Sequence, residues 1–271
     1  MIPTHYNPLG SNHFYPADYT QIGLVCHYDS YFNMGSHNGI IHDNTTNIWY
    51  DCSGNGNHTQ EDERTIEHNW SLRGFNLLPG ATVVNSFLLN PIINTIFKDT
   101  TSDENKFGAI EICASLHSDS IALEITSWNA PNANAGLSFV IGNYRNGRNM
   151  ALVFQTGPTW YDNKIPDDFG ELTKVHTYTY TCELKSLWGM YIDGVYVSSL
   201  NATTNYNCSD INNKVNAFSF GATHNFNTLL PAEQALSRSG YTIHSIRLYN
   251  KKIFQDEIEH NAKLDQLYYG S

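Results

Sequence analysis

Short apolar runs, each ended by a turn-forming residue, constrain the fold of this chain more than any other feature. The clearest pair is formed by residues 188–192 and 195–198, which are joined by Asp193-Gly194. Asp-Gly between two alternating runs is the strongest short-range indicator of a β-hairpin with a two-residue type I′ turn. Because residues two apart in a strand share a face, Trp188, Met190 and Ile192 predict a hairpin that covers a core.

Other runs of this kind are spread along the whole chain. They are rich in β-branched or aromatic residues and are bounded by Gly, Asn, Pro or Asp, which is typical of strands. Roughly a dozen such strands, without a repeat of solenoid or propeller length, predict an all-β sandwich of two antiparallel sheets. The main predicted strands are residues 23–28, 82–89, 107–116, 121–127, 136–143, 149–155, 174–184, 217–222 and 242–249.

Composition and charge exclude several classes of protein. The chain has 271 residues and a formal net charge of -11, without a cluster of Lys or Arg, so no nucleic-acid partner is expected. No apolar run approaches the roughly 18–20 residues that span a bilayer, so no membrane insertion is expected. The five cysteines show no C-x-x-C spacing. They are expected to be buried thiols, because a disulfide framework is not typical of so large a domain.

The chain is predicted to consist of an arm and one domain. Residues 1–21 are rich in Pro, Tyr, Asn and His and show no period, which indicates an arm that lies along a surface and anchors the chain, or else a disordered segment. Residues 22–271 form the predicted sandwich. The start of the chain lacks the basic and then apolar order of a signal peptide. We therefore expect a protein used without secretion, or one whose leader has been removed.

Three segments resemble the laminin-G-like group of the concanavalin A-like lectin/glucanase superfamily. They are D-C-S-G-N-G-N-H at 51–58, Y-I-D-G-V at 191–195, and I-R-L-Y-N at 246–250 followed by E-I-x-x-N at 257–261. The resemblance implies a concanavalin A-like jelly roll with a short C-terminal helix. It also implies that the last strand returns beside the first and that the helix covers the sandwich edge. Within that helix, Phe254, Ile258 and Ala262 have the 3.6-residue spacing of a buried stripe.

The catalytic pattern of the superfamily is not found in this sequence. Its hydrolases carry E-x-D-x-E on one strand, so that nucleophile and acid face the same groove. The nearest segment here is E-I-C-A-S at 111–115, which supplies Glu111 alone, and Glu124 belongs to another predicted strand. There is no G-x-S-x-G elbow, P-loop or H-E-x-x-H. We therefore expect no enzymatic activity and no cofactor, with a polysaccharide hydrolase or lyase of this fold as an alternative.

Metal binding is not expected either. Many relatives hold calcium with an acidic residue just before the I-R-I-Y-N strand, where this chain has His244, a poor ligand for a hard cation. Oxygens of the 51–57 turn remain, but Asp51 is expected to brace its own turn. Residues 37–43 contain two histidines and an aspartate, which we interpret as surface residues because no further ligands accompany them.

Recognition is the function that remains. Sugar sites in such sandwiches pair a stacking aromatic ring with hydrogen-bonding groups on loops. Two predicted loops have this content, at residues 127–134 and 159–164. The alternative is that their tryptophans anchor the loops to the core, and the sequence does not decide between the two. The ligand-binding candidates are Trp160, Tyr161, Asp162, Asn163, Trp128 and Asn129.

The sequence therefore predicts a lectin-like recognition or decoration domain on an outer surface. A phage virion fits best, because virion proteins start at Met without a leader, keep free cysteines and still display adhesive domains. The expected partners are surface glycans, with a capsid or tail protein bound through the arm. A secreted carbohydrate-binding module, extracellular or on a cell surface, is the alternative.

Overall fold

The computed structural model describes a large part of the chain. These are residues 16–30, 48–57, 59–61, 68–71, 74–77, 85–89, 108–118, 122–128, 137–143, 147–154, 159–183, 187–201, 217–220 and 240–270. In chain order, the strands are β1 (Leu24–Asp29), β2 (Ile48–Trp49), β3 (Thr59–Glu61), β4 (His68–Ser71), β5 (Gly74–Leu77), β6 (Asn85–Leu89), β7 (Gly108–Leu116), β8 (Ala122–Trp128), β9 (Leu137–Asn143), β10 (Arg148–Phe154), β11 (Thr159–Lys164), β12 (His176–Glu183), β13 (Leu187–Ile192), β14 (Val195–Asn201), β15 (Ala217–Phe220) and β16 (Tyr241–Tyr249), and the helix is α1 (Gln255–Tyr269).

Within the described residues, the strands form two antiparallel sheets of eight strands each. The first sheet has the order β14-β13-β12-β7-β16-β5-β4, and β1 also pairs with β16. The second sheet has the order β11-β10-β9-β8-β15-β6-β3-β2. The pairing of β1 with β16 confirms that the last strand returns beside the first. The predicted fold class, an all-β sandwich of two antiparallel sheets with a C-terminal helix, is confirmed.

Buried aromatic and aliphatic side chains hold the two sheets together. Phe139 of β9 packs against Tyr180 of β12 with ring centroids 5.0 Å apart, and the Tyr180 hydroxyl donates to the Val140 carbonyl at 3.1 Å. Met190 and Ile192 are fully buried in the same cluster, as the hairpin pattern predicted. Burying each such side chain contributes about 1.5–3 kcal/mol, which makes this layer the main source of stability.

The predicted hairpin is confirmed in its details. Asp193 has φ 51° and Gly194 has φ 81°, both positive as a type I′ turn requires. Most predicted strands are observed within a few residues of their expected limits. The short strands β3, β4 and β5 were not predicted, because three or four residues carry too little alternation to be recognised. Of the described free thiols, Cys26 and Cys113 are buried as expected, whereas Cys52 is half-buried.

Helix α1 is 15 residues long and lies over the outer face of the first sheet. Ile258 and Ala262 are buried, as their spacing predicted. The prediction was wrong for Phe254, which occupies the N-cap position and is 59% exposed. A residue that precedes the first helical turn does not have helical backbone geometry, so its side chain does not align with the buried stripe of the helix. No helix in the described part of the chain is long and apolar enough to cross a bilayer.

The end of the predicted arm lies against α1. The backbone N–H of Thr20 donates to Asn261 Oδ1 at 2.9 Å, and Nε2 of His260 is 2.7 Å from the carbonyl oxygen of Asp18. Tyr19 is only 2% exposed. Residues 16–21 therefore pack with the sandwich, whereas residues 1–15 lie outside the described part of the chain.

Candidate functional site

A buried layer of polar side chains fixes α1 on the first sheet. Arg247 of β16 is completely buried, and its Nε donates to Glu111 Oε2 at 2.9 Å. Its two terminal nitrogens donate to the two carboxylate oxygens of Asp265 on α1, at 2.9 and 2.5 Å. This bidentate pairing fixes orientation as well as charge. Helix α1 therefore packs on the polar outer face of β16.

Neighbouring donors complete this layer around the two carboxylates. Asn261 Nδ2 donates to Glu111 at 2.8 Å, and the Tyr249 hydroxyl donates to the same oxygen at 3.2 Å. Burial raises the pKa of Glu111, and the charge of Arg247 offsets this only in part. The residue nearest to the superfamily's catalytic pattern therefore lies beneath a helix, in contact with protein groups on several sides.

A groove with aromatic walls lies at the N-terminal end of α1. Its volume is about 360 Å³, and we call it the aromatic groove. The rings of Tyr191 on β13 and Tyr196 on β14 meet edge to face, with centroids 5.4 Å apart. A register shift in the pairing of these strands falls between Met190 and Tyr191, and such bulges redirect side chains. The remaining lining residues are Thr181, Gly189, Ser199, Lys252, Ile253, Phe254 and Gln255.

The start of α1 forms the other wall of the aromatic groove. Gln255 Nε2 donates to the Gly194 carbonyl at 2.6 Å and so ties the helix to the hairpin turn. The ammonium of Lys252 lies 5.5 Å from the centroid of the Phe254 ring. Phe254 and Tyr196 are 59% and 52% exposed. Two adjacent large aromatic side chains left this exposed are typical of an interaction surface.

A larger cleft lies at the C-terminal end of α1. It has a volume of about 620 Å³, and we call it the polar cleft because most of the residues that line it have polar side chains. His244 Nε2 lies 3.2 Å from Ser115 Oγ, and the His244 ring stacks on Tyr269 with centroids 4.9 Å apart. His244, which the resemblance places where an acidic calcium ligand would be expected, therefore has structural contacts of its own.

His176, on the wall of the polar cleft, is held as a cation. Its Nδ1 lies 2.6 Å from Asp193 Oδ2 and its Nε2 lies 3.1 Å from the Glu171 carbonyl oxygen. Both nitrogens face acceptors, so both must carry a proton. Burial alone would lower the pKa of His176, but the hydrogen bond and the charge of Asp193 raise it overall.

This ion pair predicts a pH dependence of stability. A histidine whose pKa is raised on folding contributes stability that is complete below its unfolded pKa, about 6.5, and is lost as the pH rises through the folded value. The wild type should therefore have a higher free energy of unfolding than His176→Asn. This difference in free energy should be largest at about pH 6 and should become smaller towards pH 8. Urea denaturation across this range measures it. Asp193→Asn should abolish the narrowing, and a difference independent of pH would contradict the ion pair.

The 51–57 turn is braced by Asp51, as expected. Asp51 Oδ1 accepts from the backbone N–H groups of His27 and Ser53, both at 2.9 Å. Its Oδ2 accepts from the Asn57 N–H at 3.0 Å. Asn57 Nδ2 in turn donates to the Val25 carbonyl at 2.8 Å, which docks the turn on β1. Both carboxylate oxygens of Asp51 thus accept hydrogen bonds from backbone N–H groups.

Removal of metal should therefore change stability little. Among the described residues, no group of three or more His, Cys, Asp or Glu side chains could hold a metal ion. We expect EDTA to shift the melting temperature by no more than about 1–2 °C, because a ligand that does not bind the native state cannot stabilise it. A fall of many degrees that added Ca²⁺ reverses would contradict this expectation.

None of the candidates predicted from sequence is among the described residues that line these two clefts. Residues 159–164 were predicted to be a loop, and this is wrong: they form β11, the edge strand of the second sheet. Trp160 pairs with Val153 and Tyr161 with Leu152. Polar residues are tolerated on an edge strand, so the D-N-K run did not mark a loop.

The second predicted loop begins at the end of a strand. Trp128 is the last residue of β8 and pairs with Ala217, whereas Asn129 lies outside the described residues. Ligand binding by these six candidates stays a prediction. Tyr191, Tyr196 and Phe254 were not among the ligand-binding residues predicted from the sequence. The two tyrosines could have been recognised, because they flank Asp193-Gly194 in a hairpin whose other face was already assigned to the core.

The fold and its exposed groove thus define an all-β sandwich domain with an accessible aromatic surface. No protein-family model matches the chain, and no curated protein matches its sequence. Solved structures do match. The receptor-binding domain of botulinum neurotoxin C/D mosaic serotype has a TM-score of 0.58 and 13% identity, over 92% of this chain and 54% of that one.

Two further structures show the same likeness. The binding domain of botulinum neurotoxin DC in complex with rat synaptotagmin II has a TM-score of 0.57 and 10% identity, over 90% of this chain and 52% of that one. Trypanosoma rangeli sialidase has a TM-score of 0.56 and 12% identity, over 91% and 33%. The chain thus spans about half the length of the neurotoxin domains and a third of the sialidase. At such identities the likeness shows the fold alone.

Proposed function

We propose that this chain is a non-catalytic recognition domain that binds glycans in its aromatic groove. The observation that carries the proposal is the combination in one groove of the Tyr191–Tyr196 pair with the exposed ring of Phe254. Hydrogen-bonding groups of Gln255 and Ser199 line the same groove. Aromatic rings beside a few polar groups are typical of small-ligand sites, and a sugar has both an apolar face and a polar rim.

The strength of such binding follows from its contacts. One aromatic contact contributes about 0.5–1.5 kcal/mol beyond the area that it buries. Two or three contacts, less the cost of immobilising the sugar, give a monovalent affinity in roughly the millimolar range. Useful adhesion therefore depends on the display of many copies together, which raises the apparent affinity without new contacts. This requirement agrees with a domain that decorates an outer surface.

Two observations support recognition without catalysis. Glu111 is fully buried beneath α1 and is hydrogen-bonded to Arg247, Asn261 and Tyr249. The structurally similar neurotoxin chains are described as receptor-binding domains. Trp160 and Trp128 remain as a rival glycan-binding surface on the strands β11 and β8.

We also propose membership of the laminin-G-like group and display on a virion. The three segments that resemble the group adjoin one another in the fold, which supports the assignment. The 51–57 turn docks on β1, β1 pairs with β16, and Gln255 at the start of α1 contacts the turn of the 191–195 hairpin. Buried free thiols and an arm that reaches α1 agree with a virion protein, and a secreted binding module remains the alternative.

A glycan array probed with the multivalent protein tests the proposed function. We expect the wild type to bind at least one glycan, and Tyr196→Ala and Phe254→Ala each to lose about tenfold or more of the signal, because each removes one aromatic contact. The matched control is Leu267→Ala, which removes an equally exposed apolar side chain, 62% exposed, near the other end of α1. Loss only in Trp160→Ala, or equal binding by all variants, would contradict the groove as the site.

A further inference from the structure

We propose that the polar cleft is a second binding site, which takes a single sugar ring through hydrogen bonds alone. Helix α1 ends at Tyr269, and the polar cleft lies at this end of the helix, on the outer face of the first sheet. Its volume, about 620 Å³, is that of a small-ligand pocket, for which about 300–1,000 Å³ is usual. This site is separate from the aromatic groove and does not depend on it.

The floor of the polar cleft is a row of polar side chains on three adjacent strands. Thr242 of β16 pairs with Asn76 of β5 on one side and with Ser115 of β7 on the other. Directly opposed residues on one sheet face have Cβ atoms about 4.5–5.5 Å apart, so the row presents polar groups at a regular interval. That interval is wider than the spacing of adjacent hydroxyl groups on a sugar ring and suits alternate ones.

Hydrogen bonds beside the row fix the orientation of its members. The Thr242 hydroxyl donates its one proton to Asn76 Oδ1 at 2.6 Å. His117 Nε2, 3.1 Å from the same hydroxyl, must therefore be the donor to it. Burial lowers the pKa of His117, which favours the neutral ring. These two hydrogen bonds hold Asn76 Oδ1 against the Thr242 hydroxyl, so the amino group of Asn76 is directed away from Thr242. A preorganised row loses little entropy when a ligand binds.

The charges on the wall of the polar cleft are partly balanced. Asp193 Oδ2 lies 2.6 Å from His176 Nδ1, so the charges of this ion pair largely cancel, and Lys174, whose side chain is exposed, is the other charged residue among the described lining. Gln266 extends the wall and donates to the Val175 carbonyl at 2.9 Å. Tyr269 is only 2% exposed and stacks on His244, so its ring face is not offered to a ligand. Recognition here therefore rests on hydrogen bonds, in contrast to the aromatic groove.

Saturation-transfer difference NMR with a panel of neutral monosaccharides tests this site. The panel is glucose, galactose, mannose and N-acetylglucosamine, with glucuronate added to test the effect of charge. We expect transfer to at least one neutral sugar from the wild type. The change Thr242→Val, which removes one hydroxyl at nearly constant shape, should weaken that binding about tenfold. Gln266→Ala, at the exposed wall, provides a second variant that is independent of the sheet.

The variants separate this proposal from the glycan-binding function of the aromatic groove. Tyr196→Ala should leave monosaccharide binding in the polar cleft unchanged, and Thr242→Val should leave the array signal of the groove unchanged. Thermal melting of each variant checks that the fold is retained. No transfer to any neutral sugar, or transfer that both cleft variants leave intact, would overturn the proposal. Preferential binding of glucuronate would overturn the neutral class.

Discussion

Replacement of Arg247 by methionine should lower the free energy of unfolding by about 3–5 kcal/mol. The guanidinium is the partner of two fully buried carboxylates, Glu111 at 2.9 Å and Asp265 at 2.5 Å. Methionine fills a similar volume but leaves both carboxylates buried without their cation. The cost of an uncompensated buried charge then exceeds the small gain in apolar packing. Urea denaturation at neutral pH, monitored by tryptophan fluorescence, measures the change.

The matched control for this substitution is Lys263→Met. Lys263 is on the exposed side of α1, two residues from Asp265, so the chemical change is nearly the same without burial. Its effect should remain within about 0.5 kcal/mol. Equal effects of the two substitutions would contradict the account of α1 as a helix held by a buried ion pair. In the Arg247 variant we also expect the Tyr19 contact to loosen, because the guanidinium lies 4.3 Å from the centroid of its ring.

Substitution of Gly194 by valine should cost about 2–4 kcal/mol of stability. Gly194 has φ 81°, a left-handed conformation that strains a β-branched residue. In addition, a Cβ at this position would lie 2.9 Å from Cα of Glu259 in α1. The backbone of a helix cannot yield as a flexible side chain can. The hairpin and α1 should therefore separate, which would open the aromatic groove between them.

Gly56→Val separates the two causes of this cost. Gly56 has φ 74°, but no atom lies within 4 Å of the position that its Cβ would take. This variant should therefore show the conformational cost alone, about 1–2 kcal/mol. The difference between the two variants measures the contact between the hairpin and the helix. Equal melting temperatures for the two would show that α1 does not press on the turn.

The parts of the fold that were predictable are those in which local chemistry decides the structure. Asp193-Gly194 adopts the positive φ angles that its turn type demands, and Asp51 braces the turn that follows it. Residues 159–164 show the opposite case. Their composition is that of a loop, but antiparallel pairing with six residues of β10 makes them a strand. Pairing with a distant segment cannot be read from composition.

The aromatic groove was not predictable for the same reason. Tyr196 and Phe254 are 58 positions apart in the sequence, and their neighbourhood depends on where α1 begins. The polarity of α1 indicated a helix with little apolar surface. It did not indicate that Asp265 would face a buried arginine, because Arg247 and Glu111 meet it only in the folded sheet. A sequence pattern indicates which face of a single helix or strand is buried. A site forms where the faces of different elements meet, and their meeting depends on the complete fold.

The central claim is that the aromatic groove binds glycans. A crystal structure of the protein with an oligosaccharide that scores on the array tests this most directly. The account predicts a sugar ring in contact with Tyr196 and Phe254, with hydroxyl groups within hydrogen-bonding distance of Gln255 or Ser199. A sugar bound instead against Trp160 on β11, with the groove empty, would contradict it.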